Sequence, residues 1–189
     1  MISNNLFSLK GKTALVTGGS TGIGLMATAG LISAGAKVFI VSRKLENCQN
    51  AANELNNYGF DGEVIPFRGD LGSEAGINNI IDEICSKNSE LHILINNAGR
   101  TWGSDLSSFP YDAWAKVLNL NVSATFYLTQ KLVPLLATSS KSDFPSRVVN
   151  IGSVMGEIPM GDGAYSYAAS KSAVHHITRI LAKELAEKN

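Results

Sequence analysis

The feature that most constrains the fold is a regular alternation of short apolar segments with longer segments of helical periodicity. The apolar segments are rich in Val, Ile and Leu, as buried strands are, and cover residues 13–17, 37–41, 63–67, 92–95 and 147–151. The helical segments cover residues 23–34, 45–58, 74–87, 111–138 and 165–187. Repeated βα units of this kind predict an α/β fold with a doubly wound parallel sheet.

Length and composition bound the domain organisation. A chain of 189 residues, 44% of them hydrophobic, suits a single globular domain over residues 1–189. Acidic and basic residues number 16 each, so no overall field favours nucleic acid or an anionic membrane. The sequence contains no apolar run of about 18 residues, and its start has no apolar signal segment. We therefore expect a cytoplasmic protein without a membrane or nucleic-acid partner.

The cysteines and histidines give no indication of a metal. Cys48 and Cys85 lack metal-ligand spacing and are predicted to be structural or surface thiols. His175 and His176 have no carboxylate or cysteine at ligand spacing, so we expect them to be packed or exposed helix residues. The sequence therefore predicts no metal site.

A glycine-rich loop connects the first predicted strand to the first predicted helix. It consists of Thr17, Gly18, Gly19, Ser20, Thr21, Gly22, Ile23 and Gly24. Glycines at a strand-to-helix turn allow a backbone to approach a pyrophosphate at the helix N-terminus. The G-x-x-x-G-x-G spacing differs from the G-x-G-x-x-G fingerprint, so a plain loop is the alternative. The loop predicts a dinucleotide site and a Rossmann-type sheet.

The end of the second strand indicates which dinucleotide binds. An NAD site places a carboxylate there, whereas this chain has Arg43 and Lys44, two cations suited to a 2′-phosphate. We therefore predict NADP(H), with a solvated pair at a helix start as the alternative. Asp70, after the third strand, is a candidate acceptor for the adenine amino group, or else a turn or N-cap residue.

A tyrosine and a lysine four residues apart begin the last predicted helix. Tyr167 and Lys171 fall on one helix face at this spacing. An ammonium beside a phenol favours phenolate, which allows the phenol to exchange protons with a carbonyl or carbinol oxygen. Tyr167 is therefore the leading acid/base candidate, and an ordinary solvated helix pair is the alternative.

Together these motifs resemble the short-chain dehydrogenase/reductase family. The matching residues occur in family order: Thr17, Gly22 and Gly24 of the loop, Asp70-Leu71, Asn96-Asn97-Ala98-Gly99, Asn121, Ser153, and Tyr167 with Lys171. Within the family the sequence is most similar to bacterial 3-oxoacyl-[acyl-carrier-protein] reductases of the rhamnolipid-biosynthesis type. The resemblance spans nearly the whole chain.

The resemblance implies a role for each matched residue. Tyr167 would protonate a carbonyl oxygen as hydride arrives from the nicotinamide, and Lys171 would support the phenol and hold the ribose hydroxyls. Ser153 would hydrogen-bond the same oxygen, although a turn serine is the alternative. Asn121 would support a water-mediated proton relay, whereas its position in a helix alone suggests a surface residue. The segment from Asn97 through Ala98 to Gly99, like Asp70 with Leu71, would lie along the cofactor.

These roles lead to an expected activity and two alternatives. We expect NADPH-dependent reduction of a carbonyl, with a small-molecule or carrier-bound 3-oxoacyl thioester as substrate. Trp102 and Trp114 are candidates to line an acyl pocket, or are core residues. Family members continue beyond the last helix, so we expect an incomplete C-terminus and an open edge at strand 147–151. The resemblance also implies a homo-oligomer (dimer or tetramer) for the full-length form. The alternatives are a catalytically silent dinucleotide-binding or heteromer-forming fragment, and a family enzyme for another alcohol or ketone.

Overall fold

The computed structural model describes residues 6–188, and its centre is a parallel sheet of five strands. The strands are β1 (Thr13–Thr17), β2 (Lys37–Ser42), β3 (Glu63–Arg68), β4 (Ile93–Asn96) and β5 (Arg147–Asn150). Their order in the sheet is β3-β2-β1-β4-β5, and every neighbouring pair is parallel. The predicted strands agree with these bounds to within one residue at each end. The predicted doubly wound α/β fold is confirmed.

Within residues 6–188, six α-helices connect and cover the strands. They are α1 (Gly22–Ser33), α2 (Leu45–Asn56), α3 (Glu74–Lys87), α4 (Tyr111–Leu118), α5 (Thr125–Ser139) and α6 (Tyr165–Leu185). Short 3-10 turns occur at Leu106–Ser108, Val154–Gly156 and Ala186–Lys188. None of the helices in residues 6–188 has both the length and the apolar character needed to cross a membrane.

The long helix predicted over residues 111–138 is present without a gap, but it is not α-helical throughout. A π-helical turn, Asn119–Ala124, separates α4 from α5. The wider turn accompanies a polar contact inside the protein, because the side chain of Asn121 is bonded to the main chain of Arg100. Helical periodicity in the sequence could not reveal this interruption, since the partner lies on a loop far from the helix in sequence.

The central strands send side chains to both faces of the sheet. Ala14 and Val16 of β1 pack in the apolar cluster beneath α1 and α2, and Leu15 packs in the opposite cluster beneath α3 and α5. In β2, Ile40 and Phe39 divide between the two clusters in the same way. Alternation across a strand that is buried on both faces explains why these strands are continuously apolar in sequence.

Two remaining features of the fold are the edge strands of the sheet and the state of the two cysteines. Among the described residues, β3 and β5 are the edge strands, and Val149 of β5 is 42% exposed. Both cysteines are free thiols, with Cys48 buried and Cys85 on the surface, as the sequence predicts.

Candidate active site

A cleft of about 850 Å³ opens at the carboxyl ends of the parallel strands. The sheet order places β1 and β4 side by side, so the chain reverses direction across the sheet at this point. Clefts of this kind are the ligand-binding positions of doubly wound sheets. The predicted cofactor residues that line the cleft are Gly18, Ser20, Thr21, Arg43, Lys44, Asp70, Leu71, Asn97, Ala98 and Gly99.

Thr17 and Asn97 join the ends of β1 and β4 and form the floor of the cleft. Thr17 Oγ1 accepts hydrogen bonds from the main-chain N of Asn97 and of Ala98, both at 3.0 Å. Asn97 Nδ2 donates to Thr17 O at 2.9 Å and to Gly18 O at 3.1 Å. Thr17 is 2% exposed. It therefore supports the cleft from beneath instead of lining it.

The glycine loop packs tightly against the start of α1 and leaves the first turn of that helix without a side-chain cap. Gly22 has a φ of +53°, a conformation that favours glycine. A Cβ on Gly24 would lie 2.2 Å from Gly18 O, so the first turn of α1 packs directly against the loop. The side chain of Thr21 makes no cap hydrogen bond to α1. The first-turn amides of this helix are therefore available to an anion.

The charge of the cleft is strongly positive. Among the described residues that line it, four have cationic side chains, Arg43, Lys44, Arg100 and Lys116, and one has a carboxylate, Asp70. Lys116 also pairs with Asp112 one helical turn away. Arg100 and Lys116 have no place in the sequence motifs, and the structure adds them to the predicted cations at the end of β2.

Asp70 stabilises the turn that leads into α3. Its Oδ1 accepts a hydrogen bond from Gly72 N at 2.9 Å. The N-cap of α3 is Ser73, whose Oγ accepts from Gly76 N at 3.2 Å. The N-cap alternative for Asp70 is therefore wrong, and the turn interpretation is compatible with its place on the cleft wall.

Asn121 connects the cleft to the helix that carries the tyrosine. Its Oδ1 accepts from Arg100 N at 2.9 Å, and its Nδ2 donates to Arg100 O at 3.0 Å and to Ser170 Oγ at 2.9 Å. Ser170 Oγ in turn donates to Tyr167 O at 2.7 Å. Asn121 is 2% exposed. The surface position suggested by helical periodicity alone is therefore wrong.

Lys171 is a buried cation beside Tyr167. Its side chain is 6% exposed, its Nζ donates to Ile151 O at 2.6 Å, and the same atom lies 5.6 Å from the centre of the Tyr167 ring. Burial lowers the pKa of the Lys171 ammonium from its ordinary value. An ordinary solvated pair does not describe this arrangement, because the ammonium is withdrawn from water.

Ser153 lies three residues after the end of β5 and caps the 3-10 turn Val154–Gly156. Its Oγ accepts from Met155 N at 3.2 Å, which agrees with the turn-serine interpretation of its local structure. Its main-chain N donates to His175 Nε2 at 3.3 Å. His175 is not one of the matched motif residues, so the motifs alone do not assign it this contact.

Apolar side chains surround the approach to α6. Phe109 makes edge-to-face contacts with Trp114 and Tyr165, at centroid distances of 6.0 and 5.4 Å. Between Ser153 and Tyr167, the side chains of Val154, Ile158 and Met160 are all more than half exposed. The second tryptophan, Trp102, lies under the Lys116 ammonium. This part of the molecule therefore offers an apolar surface to a ligand.

Comparison with known proteins agrees with this architecture. Residues 12–189 match the family model described as short chain dehydrogenase. The rhamnolipids biosynthesis 3-oxoacyl-[acyl-carrier-protein] reductase of Pseudomonas aeruginosa is 49% identical over 179 residues, which cover 95% of this chain and 69% of that protein.

Solved structures of related proteins superpose on nearly the whole of this chain. The RhlG/NADP active-site complex of Pseudomonas aeruginosa superposes with a TM-score of 0.90 at 48% identity, covering 96% of this chain and 70% of that one. A gluconate 5-dehydrogenase of Burkholderia cenocepacia with NADP and tartrate gives 0.84 at 29% identity, covering 97% and 69%. Both structures hold NADP, the cofactor predicted from Arg43 and Lys44. The chain belongs to the short-chain dehydrogenase/reductase family of oxidoreductases.

Proposed function

We propose that this protein is an NADPH-dependent reductase that converts the ketone of a 3-oxoacyl thioester into a hydroxyl group. The main support for the proposal is the buried Lys171 ammonium, whose Nζ lies 5.6 Å from the centre of the Tyr167 ring. The helix that holds both residues is hydrogen-bonded through Asn121 to the wall of a cationic cleft. A phenol supported by a buried cation, next to an anion-binding cleft, suits proton transfer to a substrate that is reduced beside it.

The residues of the cleft fit a phosphorylated dinucleotide. Gly24 leaves no room for a side chain against the loop, and the uncapped start of α1 offers amides to a pyrophosphate. Arg43 and Lys44, at the end of β2, would hold the 2′-phosphate. Lys171 would contact the nicotinamide ribose. When bound, NADPH supplies the hydride that forms the new C–H bond.

The side chains of this chain would supply the proton and the orientation. Tyr167 Oη donates its proton to the ketone oxygen as that oxygen gains the electron pair of the C=O bond, giving the alcohol and a phenolate. The Lys171 ammonium stabilises the phenolate. Ser153 Oγ hydrogen-bonds the same substrate oxygen and fixes its position. Return of a proton to the phenolate through water is the role we propose for the region around Asn121.

The substrate class is supported by the apolar surface beside α6. Phe109, Trp114 and Tyr165 form one aromatic cluster at the N-terminal end of the helix. Ile158 and Met160 expose apolar side chains between Ser153 and Tyr167. An acyl chain would cover such side chains, whereas a polar sugar would not. The relative from Pseudomonas aeruginosa carries the name of a 3-oxoacyl-[acyl-carrier-protein] reductase. A homo-oligomer and a cytoplasmic location stay predictions.

The test is NADPH oxidation with 3-oxoacyl thioesters of increasing acyl length, comparing two tyrosine variants. Tyr167→Phe should lower kcat by about 100-fold or more, because it removes the proton donor. Tyr165→Phe, two residues earlier on the same helix, should stay within about threefold of the wild type, since it keeps the aromatic contact with Phe109. Equal turnover by wild type and Tyr167→Phe would show that the proposed mechanism is wrong.

A second candidate is reduction of a sugar-acid ketone, favoured by the structural similarity to a gluconate 5-dehydrogenase. Including 5-ketogluconate in the substrate panel separates the two candidates. A kcat/KM higher for 5-ketogluconate than for the 3-oxoacyl thioesters would favour the sugar acid as substrate. A fluorescence titration with NADPH covers the remaining alternative. Binding without turnover of any ketone in the panel would favour a catalytically silent dinucleotide-binding protein.

A further inference from the structure

One face of α6 holds the end of β5 and the loop that follows it at three points. Lys171 Nζ donates to Ile151 O at 2.6 Å. One turn later His175 Nε2 accepts from Ser153 N at 3.3 Å, and Thr178 Oγ1 then accepts from Asn150 Nδ2 at 2.9 Å. Spacings of four and three residues place these side chains on one stripe of the helix. The histidine is the member of the stripe that contacts Ser153.

The loop closes tightly around the imidazole of His175. A Cβ on Gly152 would lie 2.3 Å from His175 Nε2, and a Cβ on Gly156 would lie 2.8 Å from His175 Cε1. The ring therefore fits only because glycine occupies both positions, one before Ser153 and one three residues after it. Such a close fit fixes the position of the imidazole relative to the serine.

The hydrogen bond from Ser153 also indicates the tautomer of the neutral ring. A nitrogen that accepts a hydrogen bond carries no proton, so the neutral imidazole must hold its proton on Nδ1. Nδ1 lies 3.4 Å from Glu157 Oε1 but makes no hydrogen bond within the described part of the chain. The Glu157 side chain is 71% exposed, so water weakens its pull on the ring.

We propose that His175 is a positioning residue for Ser153, an inference that rests on the proposed function. The neutral imidazole accepts the main-chain N–H of the serine and fixes the backbone from which its Oγ projects. Among the described residues, the Ser153 hydroxyl itself is bonded only within its own turn, to Met155 N at 3.2 Å. His175 is thus the contact that ties the serine to the helix carrying Tyr167.

Substitutions that keep or remove the acceptor test this role. His175→Gln retains an acceptor at about the position of Nε2, whereas His175→Asn is too short and His175→Leu has none. We expect kcat for the ketone to fall about tenfold, or about 1.4 kcal/mol, in the Asn and Leu variants, with KM for NADPH within about twofold. The Gln variant should stay within about threefold of the wild type. His176→Leu, at the exposed neighbouring histidine, is the matched control and should leave kcat unchanged.

Two outcomes would overturn the inference: a kcat in the Asn variant equal to the wild type, or a Gln variant as slow as the Asn variant. The Asn and Gln pair decides the question even where the Leu variant does not fold. Hydrogen exchange of the Ser153 amide gives a readout independent of activity. It should be about tenfold faster in the Asn variant than in the wild type or the Gln variant, and equal rates in all three would contradict the contact. Inactive wild type with a protected Ser153 amide would count against the proposed function alone.

Discussion

Replacing Gly24 by alanine would test the close packing of the cofactor loop. The added Cβ would lie 2.2 Å from Gly18 O and 2.5 Å from Asn97 Nδ2. A carbon needs about 3.5 Å from its neighbours, so the loop and α1 would have to separate by about 1 Å. Asn97 Nδ2 now bonds to Thr17 O and Gly18 O, and both hydrogen bonds would be strained by this movement.

The expected cost follows from these contacts. Overpacking a tight site costs about 1–3 kcal/mol, and the two weakened hydrogen bonds add about 1 kcal/mol each. The better helix propensity of alanine returns at most about 1 kcal/mol. The net loss is about 2–4 kcal/mol, which in a chain of this size lowers Tm by about 4–16 °C.

Gly30→Ala is the matched control on the same helix. Gly30 is exposed within α1, and nothing lies within 4 Å of a Cβ added there. The control should raise Tm by about 1–4 °C through helix propensity alone. Differential scanning calorimetry and NADPH titration of the three proteins provide the measurement. We expect the Kd for NADPH to rise at least about tenfold in Gly24→Ala and to stay unchanged in Gly30→Ala. If both variants melted and bound NADPH alike, the proposed packing of the loop would be refuted.

Two further predictions concern the cofactor phosphate and a buried histidine. Arg43→Ala should raise the Kd for NADPH at least about tenfold and the Kd for NADH less than about twofold, because a charge-assisted phosphate contact is lost. Equal weakening of NADPH and NADH binding would contradict the assignment of Arg43 to the 2′-phosphate. His92 is 2% exposed, and its Nδ1 accepts a hydrogen bond from Thr13 N at 3.1 Å. Burial, and after it the positive charge of Lys12, lowers the pKa of the His92 imidazole from its ordinary value of 6.5. Below about pH 6.5 the unfolded chain therefore binds a proton that the folded chain rejects, so stability should be lost as the pH falls. His92→Asn can still accept a hydrogen bond from Thr13 N and should show a smaller fall in Tm than the wild type between pH 7.5 and 5. Parallel curves of Tm against pH for the two proteins would show that His92 is not the cause of the fall.

The strands could be predicted from the sequence because their apolar runs reflect burial on both faces of the sheet. The interruption at Asn121 could not be predicted, since its cause is a contact with the main chain of Arg100 on a distant loop. Local periodicity carries no information about such a partner. Treatment of residues 1–189 as a single domain stays a prediction.

The candidate site was predictable where its residues lie at the carboxyl ends of strands, as Thr17 of β1 and Asn97 after β4 do. The contact between His175 and Ser153 was not, because a helix pattern does not say which loop lies against it. A signal was nevertheless present: glycines at 152 and 156 flank Ser153, and His175 follows Lys171 by one helical turn. Small residues around a candidate catalytic serine indicate that a bulky side chain from another element packs there.

In the proposed mechanism, Tyr167 protonates a ketone while hydride arrives from a nicotinamide bound in the cleft. Transfer of deuterium from NADPH dideuterated at C4 to a 3-oxoacyl thioester tests it most directly, with the hydroxyacyl product analysed by mass spectrometry. The wild type should place one deuterium in each product molecule, and Tyr167→Phe should form at most about one hundredth as much labelled product in the same time. Product without deuterium, or equal labelled product from both proteins, would contradict it.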